Sequence, residues 1–165
     1  MARSPDVEHE FAARMALFFE QLGGTRTMGL IYGWLTICEP AHQSISEMAA
    51  ALRVSKASIS TVVRQLEQAQ MVERVHVPGT RQHHYKIRTG GWTQIMQARV
   101  GRLGPGADAA EYGLAHIGPN HPDARERLEE MRDFFRFLDD EYGEELARRW
   151  DEYRAKAKAE RGPPR

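Results

Sequence analysis

Cysteine, long apolar runs and signal-peptide features are scarce or missing in this sequence. The single cysteine, Cys38, excludes an internal disulfide framework. No apolar run approaches the length of a membrane span, and acidic residues near the start replace the basic region and apolar core of a signal peptide. We therefore expect a soluble, cytoplasmic protein without membrane contact. Its 165 residues suffice for one globular domain, or for one domain plus a helical extension.

Net charge is also absent, because 23 basic side chains balance 23 acidic ones. A neutral chain argues against non-specific nucleic-acid binding. The charge is nevertheless unevenly distributed: residues 53–88 carry a net charge of +5, which leaves −5 for the rest of the chain. A local cationic patch on a balanced protein is typical of a nucleic-acid-binding surface.

Motifs for catalysis and metal binding are missing as well. Cys38 lies near Glu39 and His42, but no glycine-framed nucleophile elbow and no Gly-rich phosphate loop accompany them. An apolar helix around Cys38 predicts a buried, inert thiol. His83 and His84 are adjacent and would point to opposite sides of a strand, which argues against a shared metal ion. We expect no enzyme, no cofactor and no metal site.

A series of short elements lies between residues 44 and 88. Ser44 and Glu47 form a capping box, and the apolar spacing after it predicts a short helix that ends near Leu52. A second helix is predicted over Ser55–Ala69, where Ser55 is the cap and apolar residues recur at i, i+3, i+4 and i+7. Two helices joined by a three-residue turn indicate a helix-turn-helix.

The opposite face of the second helix is polar, since a rotation of 100° per residue places small and cationic side chains there. Hydroxyls contact phosphates or base edges, alanine packs on a thymine methyl, and arginine binds guanine with two hydrogen bonds. An ordinary solvated helix face has the same composition, so this face alone leaves both interpretations open. The DNA-contacting residues predicted on this helix are Ser55, Lys56, Ala57, Ser58, Ser60, Thr61, Arg64 and Gln68.

A basic β-hairpin is predicted next. Residues 71–77 and 84–88 have strand-like alternation, and Pro78–Arg81 forms the turn between them. A structural hairpin needs no cationic side chains, whereas phosphates and a narrow minor groove attract them. The hairpin therefore favours the DNA interpretation and makes the segment a winged helix-turn-helix. The candidate contacts on the hairpin are Arg74, His76, Arg81 and His83, and Lys86 and Arg88 add charge to its stem.

The flanking segments are predicted to be helical. An apolar stripe over residues 4–24 and a strongly apolar segment over residues 27–38 precede the winged motif. The stripe consists of Val7, Phe11, Met15, Phe18, Phe19 and Leu22. After the motif we expect a bent or split helix over residues 92–117, interrupted at Gly104–Gly106 and resuming at Ala107, and then a long charged helix from Pro122.

The predicted fold class is mainly α with a small β-hairpin wing. A winged helix-turn-helix DNA-binding lobe occupies residues 27–90, and residues 4–24 and 91–160 form a helical dimerisation region. The flanking helices carry more apolar surface than the small lobe can cover, which favours a homodimer on two-fold DNA sites. A monomer whose terminal helices fold back on the lobe is the alternative.

These motifs resemble those of the MarR-type regulators, particularly the GbsR-like branch, over nearly the whole chain. The resemblance is carried by Val54–Ser60, Leu66–Gln68, Val72–Val75, Pro78–Arg81 and Tyr85. A narrower similarity, to actinobacterial MarR-type repressors of lipid and drug efflux genes, is carried by Gly33–Leu35, Cys38–Pro40 and Leu128–Asp133.

The resemblance implies a homodimeric repressor on a pseudo-palindromic DNA operator. The helix over Ser55–Ala69 would enter the major groove and Arg81 the adjacent minor groove. A small lipophilic or aromatic effector would bind between the lobe and the dimer helices and disfavour the spacing that DNA requires. Gly104–Gly106 depart from the usual pattern of the family.

The candidate effector-binding residues are apolar side chains near this joint, most of which fit an ordinary core equally well. They are Phe18, Phe19, Leu22, Met28, Ile31, Trp34, Met96, Val100, Leu103 and Tyr112. The alternative function is a winged-helix module that binds RNA or a protein partner without effector control. The cationic segment disfavours a pure protein adaptor.

Overall fold

The computed structural model describes residues 5–93, 95, 103–142 and 144–161. They fall into two compact units, one ending at Gly91 and the other beginning at Trp92. The first unit contains α1 (Pro5–Gln21), α2 (Arg26–Ile37), β1 (Gln43–Ser44), α3 (Ile45–Leu52), α4 (Lys56–Gln68), β2 (Val72–Val75) and β3 (His84–Ile87). The second contains α5 (Gly104–His116), α6 (Pro122–Tyr142) and α7 (Glu144–Arg161), and residues 91–93 and 95 are also helical. The predicted fold class, mainly α with a β-hairpin wing, is confirmed.

Helices α1 and α2 pack closely through small residues. A Cβ on Gly33 would lie 2.8 Å from the Cα of Ala12, and a Cβ on Gly29 would overlap the backbone of Ala16. Ala12 and Ala16 of α1 are therefore almost completely buried. The predicted apolar stripe of this helix is wrong in part, because the glycines of α2 turn the alanine face inward. Of that stripe, Phe19 is buried, whereas Val7 and Phe18 are exposed.

The helix-turn-helix forms where the caps predict it. The Ser44 hydroxyl accepts from the Glu47 amide at 3.2 Å, and Glu47 Oε2 accepts from the Ser44 amide at 2.6 Å, which completes the capping box of α3. Arg53 then adopts a left-handed conformation (φ 54°) that ends α3 and starts the turn. Helix α4 buries the four apolar residues predicted for its inner face, Ile59, Val62, Val63 and Leu66.

The sheet has one more strand than the predicted hairpin. Strands β2 and β3 form that hairpin, with Val72 opposite Ile87 and Val75 opposite His84. Strand β1 adds to the other edge of β3, which gives the antiparallel order β1-β3-β2. Strand β1 consists of only two residues, both polar, so the sequence shows no alternation of polar and apolar residues that would predict it. Because of β1, β3 is the central strand, and its residues His84 and Tyr85 are paired on both sides.

In the second unit, α5 and α6 pack against each other through glycines. A Cβ on Gly106 would lie 2.5 Å from the Phe135 ring, and one on Gly113 would lie 3.0 Å from Leu128. Residues 104–106 form the first turn of α5, so the prediction that the helix is interrupted there and resumes only at Ala107 is wrong. The helix predicted before this point falls mostly on residues 96–102, which lie outside the described residues. The proline in the first turn of α5 does not prevent the helix from beginning at Gly104. Proline lacks an amide hydrogen, but amides in the first turn have no partner within the helix.

Large apolar side chains remain exposed on the second unit. They are Trp92, Tyr112, Met131, Phe134, Phe137, Trp150 and Tyr153. The predicted division into a DNA-binding lobe and a dimerisation region concerns function. The two compact units do not test it, so it stays a prediction.

None of the described helices is both long and apolar enough to cross a membrane.

Candidate nucleic-acid interface

The outer face of α4 presents most of the predicted DNA-contacting residues to solvent. Its inner face is anchored by Ile59, Val63 and Leu66, all fully buried, so the helix has one fixed orientation. Ser58 and Ser60 are half-buried at the flanks of the outer face. The exposed residues are Ser55, Lys56, Ala57, Thr61, Arg64 and Gln68. A helix with this composition and a free outer face fits a DNA major groove.

Two of these residues also make contacts within α4. The Ser55 hydroxyl accepts from the Ser58 amide at 3.2 Å, so this oxygen caps the helix in addition to any role at DNA. Arg64 Nε donates to the Ser60 carbonyl at 3.2 Å, which directs the guanidinium along the outer face while leaving the residue exposed.

The wing, defined as strands β2 and β3 with residues 76–83 between them, extends a second set of polar side chains. His76, Arg81 and His83 are exposed on it. Gly79 adopts φ 83° at the turn, a conformation that glycine takes without strain. The Thr80 hydroxyl accepts from the Gln82 amide at 3.1 Å and holds the backbone on either side of Arg81. A loop arranged in this way presents Arg81 to a ligand outside the protein.

Arg74 and Lys86, by contrast, are engaged by acidic residues of the same unit. Arg74 lies 3.2 Å from Glu67 of α4 and 5.7 Å above the Tyr85 ring. Lys86 lies 3.0 Å from Glu73, the residue directly opposite it in the hairpin register. Arg74 therefore links the wing to α4, a role that the sequence analysis did not predict. The pair of Lys86 with Glu73 follows from the register of the hairpin. The pair of Arg74 with Glu67 depends on how β2 packs against α4.

His84 lies in the core and is only 7% exposed, which was not predicted from the sequence. It lies beside Glu47 of α3, and its ring centroid is 5.2 Å from that of His42. Hydrogen bonding by Ser44, chiefly from its backbone amide, holds the pKa of the Glu47 carboxyl below its ordinary value, with His84 and His42 contributing. His83 is exposed while His84 is buried, so the two rings face opposite sides, as predicted from strand alternation. No group of three metal-ligating side chains occurs among the described residues.

Cys38 is buried just past α2, as predicted, and is 4% exposed. Burial raises the pKa of its thiol to about 11. Its Sγ donates weakly to the Pro40 carbonyl at 3.3 Å. A thiol that stays protonated near neutral pH is a poor nucleophile and a poor redox switch.

The predicted effector-binding residues are spread over both units. Phe19 and Ile31 belong to the core of the first unit, with exposures of 5% and 0%, and Phe18 and Tyr112 are exposed. Trp34 is half-buried, and its indole nitrogen has no hydrogen-bond partner among the described residues. The others are the half-buried Leu22, Met28 and Leu103, and Met96 and Val100, which lie outside the described residues. The effector pocket stays a prediction.

A capped helix-turn-helix, an exposed polar recognition helix and a cationic wing together define a winged-helix DNA-binding regulator. The sequence matches the MarR family over residues 37–83 and the MmpR5-like MarR family transcriptional regulators over residues 90–153. It is 34% identical, over 148 residues, to the HTH-type transcriptional regulator MmpR5 of Mycobacterium tuberculosis (strain ATCC 25618 / H37Rv), a match that covers 90% of this chain and 89% of the relative. The chain belongs to the MarR family of transcriptional regulators.

A solved structure supports the same assignment. The crystal structure of a transcriptional regulator is 32% identical to this chain, with a TM-score of 0.71, and the match covers 88% of this chain and 99% of the other. The predictions of a MarR-type regulator and of a protein that is not an enzyme are confirmed by these relatives. The assignment to the GbsR-like branch stays a prediction.

Proposed function

We propose that this protein is a homodimeric repressor that binds a pseudo-palindromic DNA operator through α4 and the wing. The observation that carries the proposal is the orientation of α4, whose apolar face is fully buried while Thr61, Arg64 and Gln68 face solvent. In this proposal α4 reads base edges in the major groove, and the exposed Arg81 enters the adjacent minor groove. Phosphate contacts from Lys56, the hydroxyls and the wing histidines set the register.

The exposed apolar residues of the second unit support the homodimer. Phe134 and Phe137 are each 55% exposed on α6, and Trp150 and Tyr153 are 40% and 64% exposed on α7. Aromatic side chains in such number on two adjacent helices indicate a protein-protein interface. A second copy of this chain is the partner we propose, since two-fold symmetry would place two recognition helices on consecutive major grooves. Sedimentation equilibrium of the full chain tests this, and a monomer at micromolar concentration would contradict it.

The DNA-binding proposal is tested by selecting bound fragments from the source genome with the purified protein. We expect one or a few enriched sites with two inverted half-sites, bound about a thousandfold more tightly than a scrambled duplex. Affinity should fall steeply as salt rises, because counterions are released from the DNA phosphates. Equal binding to operator and scrambled duplex would contradict sequence-specific recognition. Equal competition by an RNA duplex of the same sequence would instead favour the RNA-binding alternative.

We further propose that the protein represses genes for lipid or drug efflux and is released from DNA by a lipophilic or aromatic effector. The resemblance of Gly33–Leu35, Cys38–Pro40 and Leu128–Asp133 to actinobacterial repressors of such genes supports this target class. The test is a titration of the preformed protein–DNA complex with a fatty-acid derivative or an aromatic drug. Release that saturates with effector concentration would support the proposal, and an unchanged complex with both classes would contradict it.

A further inference from the structure

His84 lies on the central strand of the sheet and contacts two separate elements. Its Nδ1 is 3.2 Å from the carbonyl oxygen of Gln82, in the wing loop, and its Nε2 is 3.5 Å from Oε2 of Glu47, in the first turn of α3. Both partners are hydrogen-bond acceptors. A neutral imidazole has only one N–H, so only the protonated ring can donate to both partners at once.

On this side the wing loop, residues 76–83, borders a cleft. An open cleft of about 440 Å³ lies between residues 77–80 of the loop and Ser46 and Glu47 of α3. His84 is among the residues that line this cleft and is itself 7% exposed. His84 therefore adds a side-chain link between the loop and α3 to the backbone pairing of β1 with β3.

The His84 ring has one carboxylate, one imidazole and one paired ammonium group in its surroundings. Glu47 stays ionised near neutral pH, because the Ser44 amide donates to its Oε2 at 2.6 Å and lowers its pKa. His42 lies edge-on to the ring, with centroids 5.2 Å apart, and its Nδ1 has no hydrogen-bond partner among the described residues. Lys86, two residues further along the strand, is already paired with Glu73 at 3.0 Å.

We propose that His84 is a positioning residue for DNA binding, which when protonated holds the wing loop against α3 and so directs Arg81 toward the minor groove. The inference rests on the proposed DNA-binding function. Apparent operator affinity is reduced by the fraction of molecules whose wing is not positioned, so loss of the His84 proton weakens binding. The bridge forms as the pH falls and is lost as the pH rises.

The first test needs no DNA. In ¹⁵N spectra of the free protein recorded over a pH series, the backbone amides of residues 79–82 should shift in step with the His84 ring resonances. Glu47→Gln should abolish that shared titration, since glutamine still accepts from the Ser44 amide but carries no charge. Backbone amides of the wing that do not shift with the His84 ring resonances would overturn the proposal, even if the protein binds its operator as expected.

The second test measures operator affinity at pH 6 and pH 8, at constant ionic strength. The wild type should bind its operator more tightly at pH 6 than at pH 8. We expect His84→Gln to make that gain in affinity about fivefold smaller, which corresponds to the loss of an interaction of about 1 kcal/mol. Glu47→Gln should reduce the gain in affinity by the same factor. The double variant should reduce it no further, because both substitutions break the same interaction. If His84→Gln fails to fold by circular dichroism, Glu47→Gln alone carries both tests.

Two histidine variants serve as matched controls. His83→Gln removes the neighbouring exposed ring, and its effect on affinity should add to that of Glu47→Gln instead of overlapping with it. His121→Gln, on the exposed loop before α6, should leave the pH response unchanged. An unaltered pH response in His84→Gln, or simple additivity of His84→Gln with Glu47→Gln, would refute the positioning role. Failure of the wild type to prefer its operator at either pH would instead contradict the proposed function.

Discussion

Replacement of Arg64 by alanine tests the reading face of α4 with little risk to the fold. Arg64 is exposed, and its one described hydrogen bond runs to the Ser60 carbonyl of the same helix. Alanine favours helix, so the stability of the variant should change by less than about 0.5 kcal/mol. A two-hydrogen-bond contact with guanine contributes about 1 to 3 kcal/mol, and two half-sites therefore lose about 2 to 6 kcal/mol.

The assay is fluorescence anisotropy with the selected operator, with a scrambled duplex, and with operators altered at one base pair per half-site. Arg64→Ala should weaken operator binding and lose discrimination at that one position. Arg14→Ala is the matched control, because it removes the same charge from an exposed arginine of α1 that is paired with Glu10 at 2.8 Å. Equal losses on operator and scrambled duplex, or a loss no larger than that of Arg14→Ala, would show that Arg64 reads no base.

Three further predictions concern other parts of the first unit. Arg81→Ala should weaken operator binding while the circular dichroism spectrum stays unchanged, because an exposed loop residue packs little core; a lost fold would make Arg81 structural. Gly33→Leu should lower the free energy of unfolding in urea by about 1 to 3 kcal/mol, because its Cβ would lie 2.8 Å from the Ala12 backbone. Gly104→Ala is the control and should leave the free energy of unfolding unchanged, because its Cβ would lie in open space. Cys38 should react with a thiol reagent at pH 7.5 far more slowly in the native than in the urea-unfolded protein, because burial raises its pKa to about 11, and equal rates would contradict that burial.

The parts of the fold that depend on local interactions could be predicted from the sequence. The capping box of Ser44 and Glu47 and the cap at Ser55 act within one helical turn, so they located both helices of the motif to within a residue. The inner face of α4 followed from the spacing of its apolar residues. Because an exposed face is the complement of a buried one, the solvent exposure of Thr61 and Arg64 was predictable too.

The parts that depend on contacts between distant segments could not be predicted. Strand β1 exists only because Gln43 and Ser44 pair with β3, more than 35 residues later, and this pairing buries His84. The inner face of α1 is decided by Gly29 and Gly33 of the neighbouring helix, since small residues allow close backbone approach where larger side chains would not. An effector pocket likewise depends on the arrangement of several elements.

The most direct test of the account is a guanine N7 methylation-protection experiment on the selected operator. If α4 lies in the major groove of each half-site, guanines there are protected in two stretches about one helical turn apart, and Arg64→Ala loses protection at one guanine per stretch. A complex of full affinity that leaves every N7 position reactive would contradict the claim that the outer face of α4 reads DNA.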